Sequence, residues 1–203
     1  GTVFALDKSR PKIEKILRNI QNLKLNCIKP FLWDATKAVG EMEDSENAQE
    51  LVKPPFPPCS FDRILLDGPC SALGQRPRHS FKKSRQELES FPVYQRKLLN
   101  AAVKLLKPGG TLVYSTCTIT SEENERQVAW VLEKFPCLQL VKQNFHIGGF
   151  GLPFCGLTEE QRLLVQRFDP LDIDRGDYYE DKHPADCDTI GFFIAKFYKI
   201  ETT

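Results

Sequence analysis

Four short apolar segments of this chain end in an acid or a cysteine, and three of them lead on into a stretch with helical spacing. Thr2 to Leu6 ends at Asp7, and Ile13, Ile16, Leu17 and Ile20 then recur at the 3.6-residue period. Cys27 to Trp33 ends at Asp34, after which Gly40 to Pro58 turns acidic and then proline-rich, the composition of a surface loop. Arg63 to Leu66 runs into Asp67-Gly68-Pro69-Cys70. A polar segment then separates it from a helix that turns Leu98, Leu99, Ala102, Leu105 and Leu106 inward and stops at Lys107-Pro108-Gly109-Gly110. Thr111 to Ser115 precedes Cys117. Thr120 with Glu123 then has the capping-box spacing, worth about 1 kcal/mol, ahead of a helix burying Val128, Val131, Leu132 and Phe135. Leu138 to Val141, a helix opened by Thr158 and Gln161, and apolar Ile190 to Tyr198 complete the series, with Phe145 to Gly156 as a glycine-rich loop. Repeated strand-helix units predict a parallel α/β sheet with helices on both faces.

The chain's 203 residues suit one domain that buries roughly 70% of its unfolded surface. No apolar run approaches the roughly 20 residues of a membrane span, and the first ten residues do not read as a secretory signal, so no membrane partner is expected. Seven dispersed cysteines make a poor disulfide framework, which predicts a reduced, cytoplasmic protein. No CxxC pair and only three histidines give no metal-ligand spacing, so no metal is expected. With a net charge of +1, binding to a polyanion would need a local basic patch.

Ligands of such sheets bind at the carboxyl ends of the strands, where Asp7, Asp34, Asp67 and Cys117 fall. A single acid at such a place is more often a turn or helix cap, but coincidence over four strands weakens that reading. Asp7 suits the two hydroxyls of a ribose, and Asp34 an adenine edge. Lys12, one turn into the first helix, is either a bridge to the same nucleoside or a solvated surface lysine. Cys70 and Cys117 are more informative. A free cysteine is usually an inert buried hydrophobe, and a thiol needs a base, a positive charge or helix amides to become an effective nucleophile.

The segments ALDKSRPKIEKI (Ala5 to Ile16), DATKAV (Asp34 to Val39), FDRILLDGPCSALGQRP (Phe61 to Pro77), LLKPGGTLVYSTCTIT (Leu105 to Thr120) and NERQVAWVLEKFPCLQL (Asn124 to Leu140), with QRFDP and IGFFIAKF, resemble the Nol/Nop/Sun family of RNA cytosine-5 methyltransferases, nearest to a tRNA-modifying member. KPGG before a strand is generic to the Rossmann-like class I methyltransferase sheet, whereas DGPCS paired with STCT is specific. The resemblance implies S-adenosylmethionine as cofactor, with Asp7, Lys12, Asp34 and Asp67 among its contacts. It implies that Cys117 attacks carbon 6 of a cytosine, that Asp67 holds the ring nitrogen 3 and amino edge, and that Cys70 helps break the enzyme-RNA bond after methylation. The family usually reads DAPCSG, and Gly68 and Ala72 stand here for its alanine and last glycine, exchanges among small residues that keep every reactive group.

From Gly74 to Arg85, Arg76, Arg78, Lys82, Lys83 and Arg85 are interleaved with His79 and Phe81, with no acid between. The stretch is either a solubilising loop or, following Cys70 directly, a set of phosphate contacts with Phe81 as a stacking surface for an unpaired base. In the family a first strand lies between those ending at Asp7 and Asp67, and its glycine-rich loop cradles the methionine end of the cofactor. No such loop precedes Thr2. Residues 1–203 are therefore expected to be a partial catalytic domain that lacks this first strand and binds cofactor poorly alone, with an RNA-binding domain upstream in the full-length protein. Two rival classes are a non-catalytic RNA-binding fragment, and a transferase aimed at an exocyclic amine, which would carry a proline-aromatic motif in place of Pro69-Cys70.

Overall fold

The computed structural model describes residues 1–40, 53–77, 80, 82–169 and 189–201. Along the chain come β1 (Val3–Asp7), α1 (Arg10–Asn22), β2 (Ile28–Leu32), a 3-10 turn (Ala35–Lys37), β3 (Phe61–Asp67), α2 (Arg85–Leu105), β4 (Leu106–Thr116), α3 (Glu125–Lys134), β5 (Leu138–Leu140), α4 (Glu159–Arg162), β6 (Gln166–Phe168) and β7 (Phe192–Lys199). Residues 41–52, most of the expected acidic surface loop, lie outside the described residues.

β1 and β2 pair in parallel from Val3 against Ile28 to Asp7 against Leu32. β3 and β4 also pair in parallel, and the partner of Phe61 is Leu106 while that of Arg63 is Thr111, so Lys107 to Gly110 bulges from the ladder. Gly109 has φ +77°, a conformation glycine adopts without a Cβ penalty. KPGG is thus a bulge inside a long strand rather than a stop ahead of a short one. Among the described residues β1 pairs only with β2 and β3 only with β4, so the two parallel pairs form separate sheets. Phe4 of β1, Phe56 and Phe61 of β3 meet edge to face between them, with ring centroids 5.1 to 5.7 Å apart.

The expected parallel pairing holds within each of the two pairs formed by the first four strands and fails at the last strand. β7 runs antiparallel between β4 and β5, and β6 also pairs antiparallel with it, giving the order β3-β4-β7-β5. The helical spacing before each earlier strand is what predicts a parallel return, and among the described residues the stretch ahead of β7 holds only the four-residue α4 and short β6. β7 buries alternate residues Phe193, Ala195 and Phe197 against Leu112 and Tyr114 of β4, Leu99 and Val103 of α2, and Val128 and Val131 of α3. This core is what fixes the carboxyl ends of β3 and β4 beside one another.

The capping box expected at Thr158 forms, with Thr158 Oγ1 accepting from the Gln161 amide and Gln161 Oε1 from the Thr158 amide. The one expected at Thr120 does not. α3 begins at Glu125, and its N-cap is Asn124, whose side chain makes no cap hydrogen bond. Glu123 and Asn124 point across the molecule instead.

Candidate active site

β3 delivers Asp67, followed by Pro69 and Cys70, and β4 delivers Cys117, one residue past its last. Because the two strands are in register, with Asp67 against Ser115, their exit loops run side by side. The Cys70 and Cys117 sulfurs are 3.3 Å apart and both half-buried. The Cys70 thiol is pushed from its ordinary 9.0 up to about 12, by burial first and then by the contact with Cys117. At neutral pH Cys70 therefore keeps its proton.

Each loop is tied on both sides of its cysteine. Gln95 Nε2 donates to the Pro69 carbonyl (3.1 Å), and the Ser71 amide donates to Glu123 Oε2 (2.9 Å). Thr116 Oγ1 donates to Asn124 Oδ1 (2.5 Å), and Asn124 Nδ2 donates to the Thr118 carbonyl (3.0 Å). A hydrogen bond between the Ser71 and Thr118 hydroxyls (2.7 Å) joins the loops, as does one from the Gly74 amide to the Cys117 carbonyl (3.1 Å). Ser71, Gln95, Thr118, Glu123 and Asn124 are all at most 2% exposed.

The three acids separate by setting. Asp67 is exposed at the end of β3. Asp7 Oδ1 accepts from the Ser9 amide (2.7 Å), and Asp7 Oδ2 meets Lys12 Nζ at 3.3 Å. Asp34 caps the 3-10 turn, its Oδ1 accepting from the Thr36 amide (3.0 Å), the Thr36 hydroxyl (2.8 Å) and the Tyr94 hydroxyl (3.3 Å). Desolvation raises the Asp34 carboxyl, but these hydrogen bonds and the charge of Lys8 more than offset it, leaving it below the usual carboxylate range. Lys8 Nζ lies 3.4 Å from the Tyr94 hydroxyl and 4.5 Å above that ring. Asp7 and Asp34 thus carry the ordinary turn and cap roles as well as any ligand role. A carboxylate has about four acceptor sites, so these contacts do not exhaust either group.

Beside them an open cleft of about 570 Å³ is lined by Lys8, Pro69, Phe91, Val93, Tyr94 and Lys97. Neither acid lines the cleft, but Lys8 and Tyr94 at its edge reach Asp34, so it offers an apolar wall with carboxylate acceptors outside its rim.

The basic segment divides. Lys83 donates to the carbonyls of Cys70 (3.4 Å) and Ser71 (3.1 Å) and stands 4.2 Å over the Phe91 ring, so it anchors the Cys70 loop. Arg85 pairs with Glu89 one turn on (2.8 Å). Arg76 and Lys82 are exposed, while Arg78, His79 and Phe81 lie outside the described residues.

A model of the 16S rRNA methyltransferase RsmB/F family matches residues 1–198. The chain belongs to that family. Among RsmB/F relatives, the tRNA (cytosine(72)-C(5))-methyltransferase NSUN6 of Homo sapiens is 52% identical over 215 residues, covering 100% of this chain and 45% of the relative. The tRNA (cytosine(72)-C(5))-methyltransferase of Pyrococcus horikoshii is 34% identical, covering 99% of this chain and 41% of the relative. The crystal structure of NSun6 from Pyrococcus horikoshii with SFG matches with a TM-score of 0.72 at 35% identity, covering 100% of this chain and 42% of that one. This RsmB/F chain therefore spans less than half the length of these relatives, and its fold is the Rossmann-like methyltransferase fold.

Sequence reasoning placed the cysteines and acids but missed Gln95, Glu123 and Asn124. The available signal was a run of polar residues, Glu122 to Glu125, directly after a cysteine-bearing strand end, where a solvated helix start is the default reading.

The Cys70 shift carries a pH consequence. The unfolded chain releases this proton near 9.0 and the folded one near 12. Stability contributed by the protonated thiol is whole below 9 and is lost as pH rises towards 12. Comparing urea midpoints at about pH 8 and about pH 10.5, the parent should lose more stability than Cys70→Ala, whose missing thiol removes this one contribution. An equal loss in both would show that Cys70 titrates normally.

Proposed function

We propose that this chain is the cytosine-attacking part of an S-adenosylmethionine-dependent RNA cytosine-5 methyltransferase acting on tRNA. The observation that carries the reading is the pair of sulfurs 3.3 Å apart at the carboxyl ends of β3 and β4, one of them held protonated. Cytosine carbon 5 is too poor a nucleophile to take a methyl group unaided. Addition of the Cys117 thiolate to carbon 6 makes carbon 5 electron-rich, and Asp67, exposed at the end of β3, would hold the nitrogen 3 and amino edge of the ring as charge builds on it. S-adenosylmethionine supplies the electrophilic methyl carbon; Asp7 and Asp34 would hold its ribose and adenine, with Lys12 bridging from Asp7. After transfer, the carbon 5 proton leaves and the carbon 6–sulfur bond breaks, returning the electron pair to Cys117.

Cys70 enters at this last stage. Once Cys117 is bonded to carbon it is a neutral thioether, and Cys70, still carrying its proton, stands beside the sulfur that must leave. As the carbon 5 proton passes to solvent base and the carbon 6–sulfur bond breaks, Cys70 gives its proton to the departing Cys117 sulfur and regains one from solvent.

RNA carrying 5-fluorocytosine at the target position tests the proposal with the full-length protein. Fluorine cannot leave as a proton does, so methyl transfer should strand the Cys117 adduct as a complex stable to denaturant. Absence of that complex while ordinary cytosine is methylated would overturn it. RNA is expected to be held through phosphate contacts by Arg76, Arg78 and Lys82, with Phe81 against an unpaired base. For two or three such contacts, affinity should fall roughly 10- to 40-fold between 50 and 200 mM salt. An affinity independent of salt would remove the basic segment as the main contact.

A further inference from the structure

We infer that Glu123, with its neighbour Asn124, is the positioning residue that sets the separation of the two thiols. The inference rests on the reading of Cys117 and Cys70 above. Glu123 Oε2 accepts from the Ser71 amide (2.9 Å) and from Gln95 Nε2 (2.9 Å), and Oε1 accepts from the Thr120 hydroxyl (2.9 Å). One carboxylate therefore joins the loop carrying Cys70, the helix α2 and the loop carrying Cys117. Its own carbonyl is fixed by the Tyr114 hydroxyl (2.6 Å), which stands on β4 three residues before Cys117. The next residue, Asn124, grips the residues on either side of Cys117. The two loops lie 47 residues apart in sequence, and adjacent side chains of a single turn hold both.

A simple cap does not explain this arrangement. Glu123 reaches a backbone amide 52 residues away and leaves the N-terminal amides of α3 to other partners, although its spacing from Thr120 suits a capping box. It is also an acceptor for three donors and a donor for none. An amide of the same size could keep Ser71 and Gln95 on its oxygen and turn its NH₂ to the Thr120 hydroxyl, which can accept, so what sets the carboxylate apart is charge, which strengthens all three bonds. Losing that strength inside a buried network costs more than a lost surface contact, and its consequence falls on the spacing of the loops that meet there.

The test uses the full-length protein and two readouts of thiol geometry. Oxidised glutathione converts Cys70 and Cys117 to a disulfide while it is itself reduced to two thiols, and the rate followed by intact mass reports how often the sulfurs meet. The second readout is the ratio of adduct formation to adduct breakdown on cytosine RNA. Glu123→Gln should slow disulfide formation about tenfold and lengthen adduct lifetime with KM for RNA unchanged, as expected when charge-assisted hydrogen bonds become neutral ones of about half the strength. Val131→Ala in the core of α3 should lower the thermal midpoint without changing either thiol readout. Should Glu123→Gln fail to fold, Thr120→Val removes one of the three donors and should shift both readouts in the same direction by a smaller factor. Unchanged disulfide and adduct rates in the folded Glu123 variant, or in Thr120→Val if that variant must decide, would overturn the inference; so would an equal slowing in Val131→Ala. If the parent makes no adduct but Glu123→Gln still slows the disulfide, the catalytic reading fails and the positioning role stands.

Discussion

Full-length protein carrying Cys117→Ala is expected to lose methyl transfer by roughly 10⁴-fold or more and to form no covalent RNA complex, the loss that follows removal of a covalent nucleophile. Cys70→Ala is expected to do the opposite to the complex: methyl transfer occurs about once per enzyme and the adduct accumulates on ordinary cytosine RNA, visible as a slow band under denaturing electrophoresis. The two sulfurs are only 3.3 Å apart, and burial sets Cys70 apart by pushing its thiol up to about 12. At pH 7 it keeps its proton, which unsuits it as the attacking group. Its proton and its place beside Cys117 suit it instead to the stage at which the carbon–sulfur bond is broken. Cys70→Ser should fall between, since a hydroxyl restores a hydrogen bond but not an acid of similar strength. If Cys70→Ala abolished the complex and Cys117→Ala accumulated it, the two roles would be exchanged and the burial of Cys70 would need another meaning.

What could be read in the sequence follows the range of the forces involved. Strand ends are local: an apolar run ending in Asp7, Asp67 or Cys117 announces both the strand and the place where a ligand would meet it, and the structure puts all three where the pattern implied. The helix face of Leu98, Leu99, Ala102 and Leu105 was equally legible, because burial at 3.6-residue spacing leaves a mark in composition. Long-range pairing left no such mark. Nothing local in Phe192 to Lys199 says that the strand inserts antiparallel between β4 and β5; its alternation shows only which face is buried. The polar site residues were hidden for a related reason. Glu123 and Asn124 sit in a stretch whose composition is that of a solvated helix start, and only the approach of the Cys70 loop makes them interior. Lys83 looked like its neighbours Lys82 and Arg85 until its distance to the Cys70 and Ser71 carbonyls set it apart.

The same blindness covers the strongest stability effect expected in the molecule. Glu125 and Arg167 form an ion pair with side chains 0% and 3% exposed, Arg167 Nη1 standing 3.2 and 3.3 Å from the two carboxylate oxygens. Glu125 also accepts from the Leu152 amide (2.9 Å), and Arg167 Nη2 donates to the Ile119 carbonyl and to Asp169 (3.2 Å). The pair thereby fastens the glycine-rich loop and β6 to the segment that follows Cys117. Desolvating two ions costs several kcal/mol each, so the assembled pair adds little net stability over an apolar filling. Removing Glu125 is different, because Arg167 is left charged and buried with Asp169 carrying the whole of its counter-charge from one side. Glu125→Ala should therefore destabilise by about 3–5 kcal/mol, lowering the thermal midpoint by roughly 6 to 20 °C for a domain of this size. Glu125→Leu combined with Arg167→Met should recover most of that loss, since the double change removes the stranded charge and keeps the volume. Urea unfolding of the parent, both single variants and the double gives the coupling directly. A Glu125→Ala midpoint close to the parent's would mean that Asp169 or entering water suffices for Arg167. A stable double variant that has lost methyl transfer would show that the pair is kept for the position of Ile119 beside Cys117, and that stability alone does not account for it.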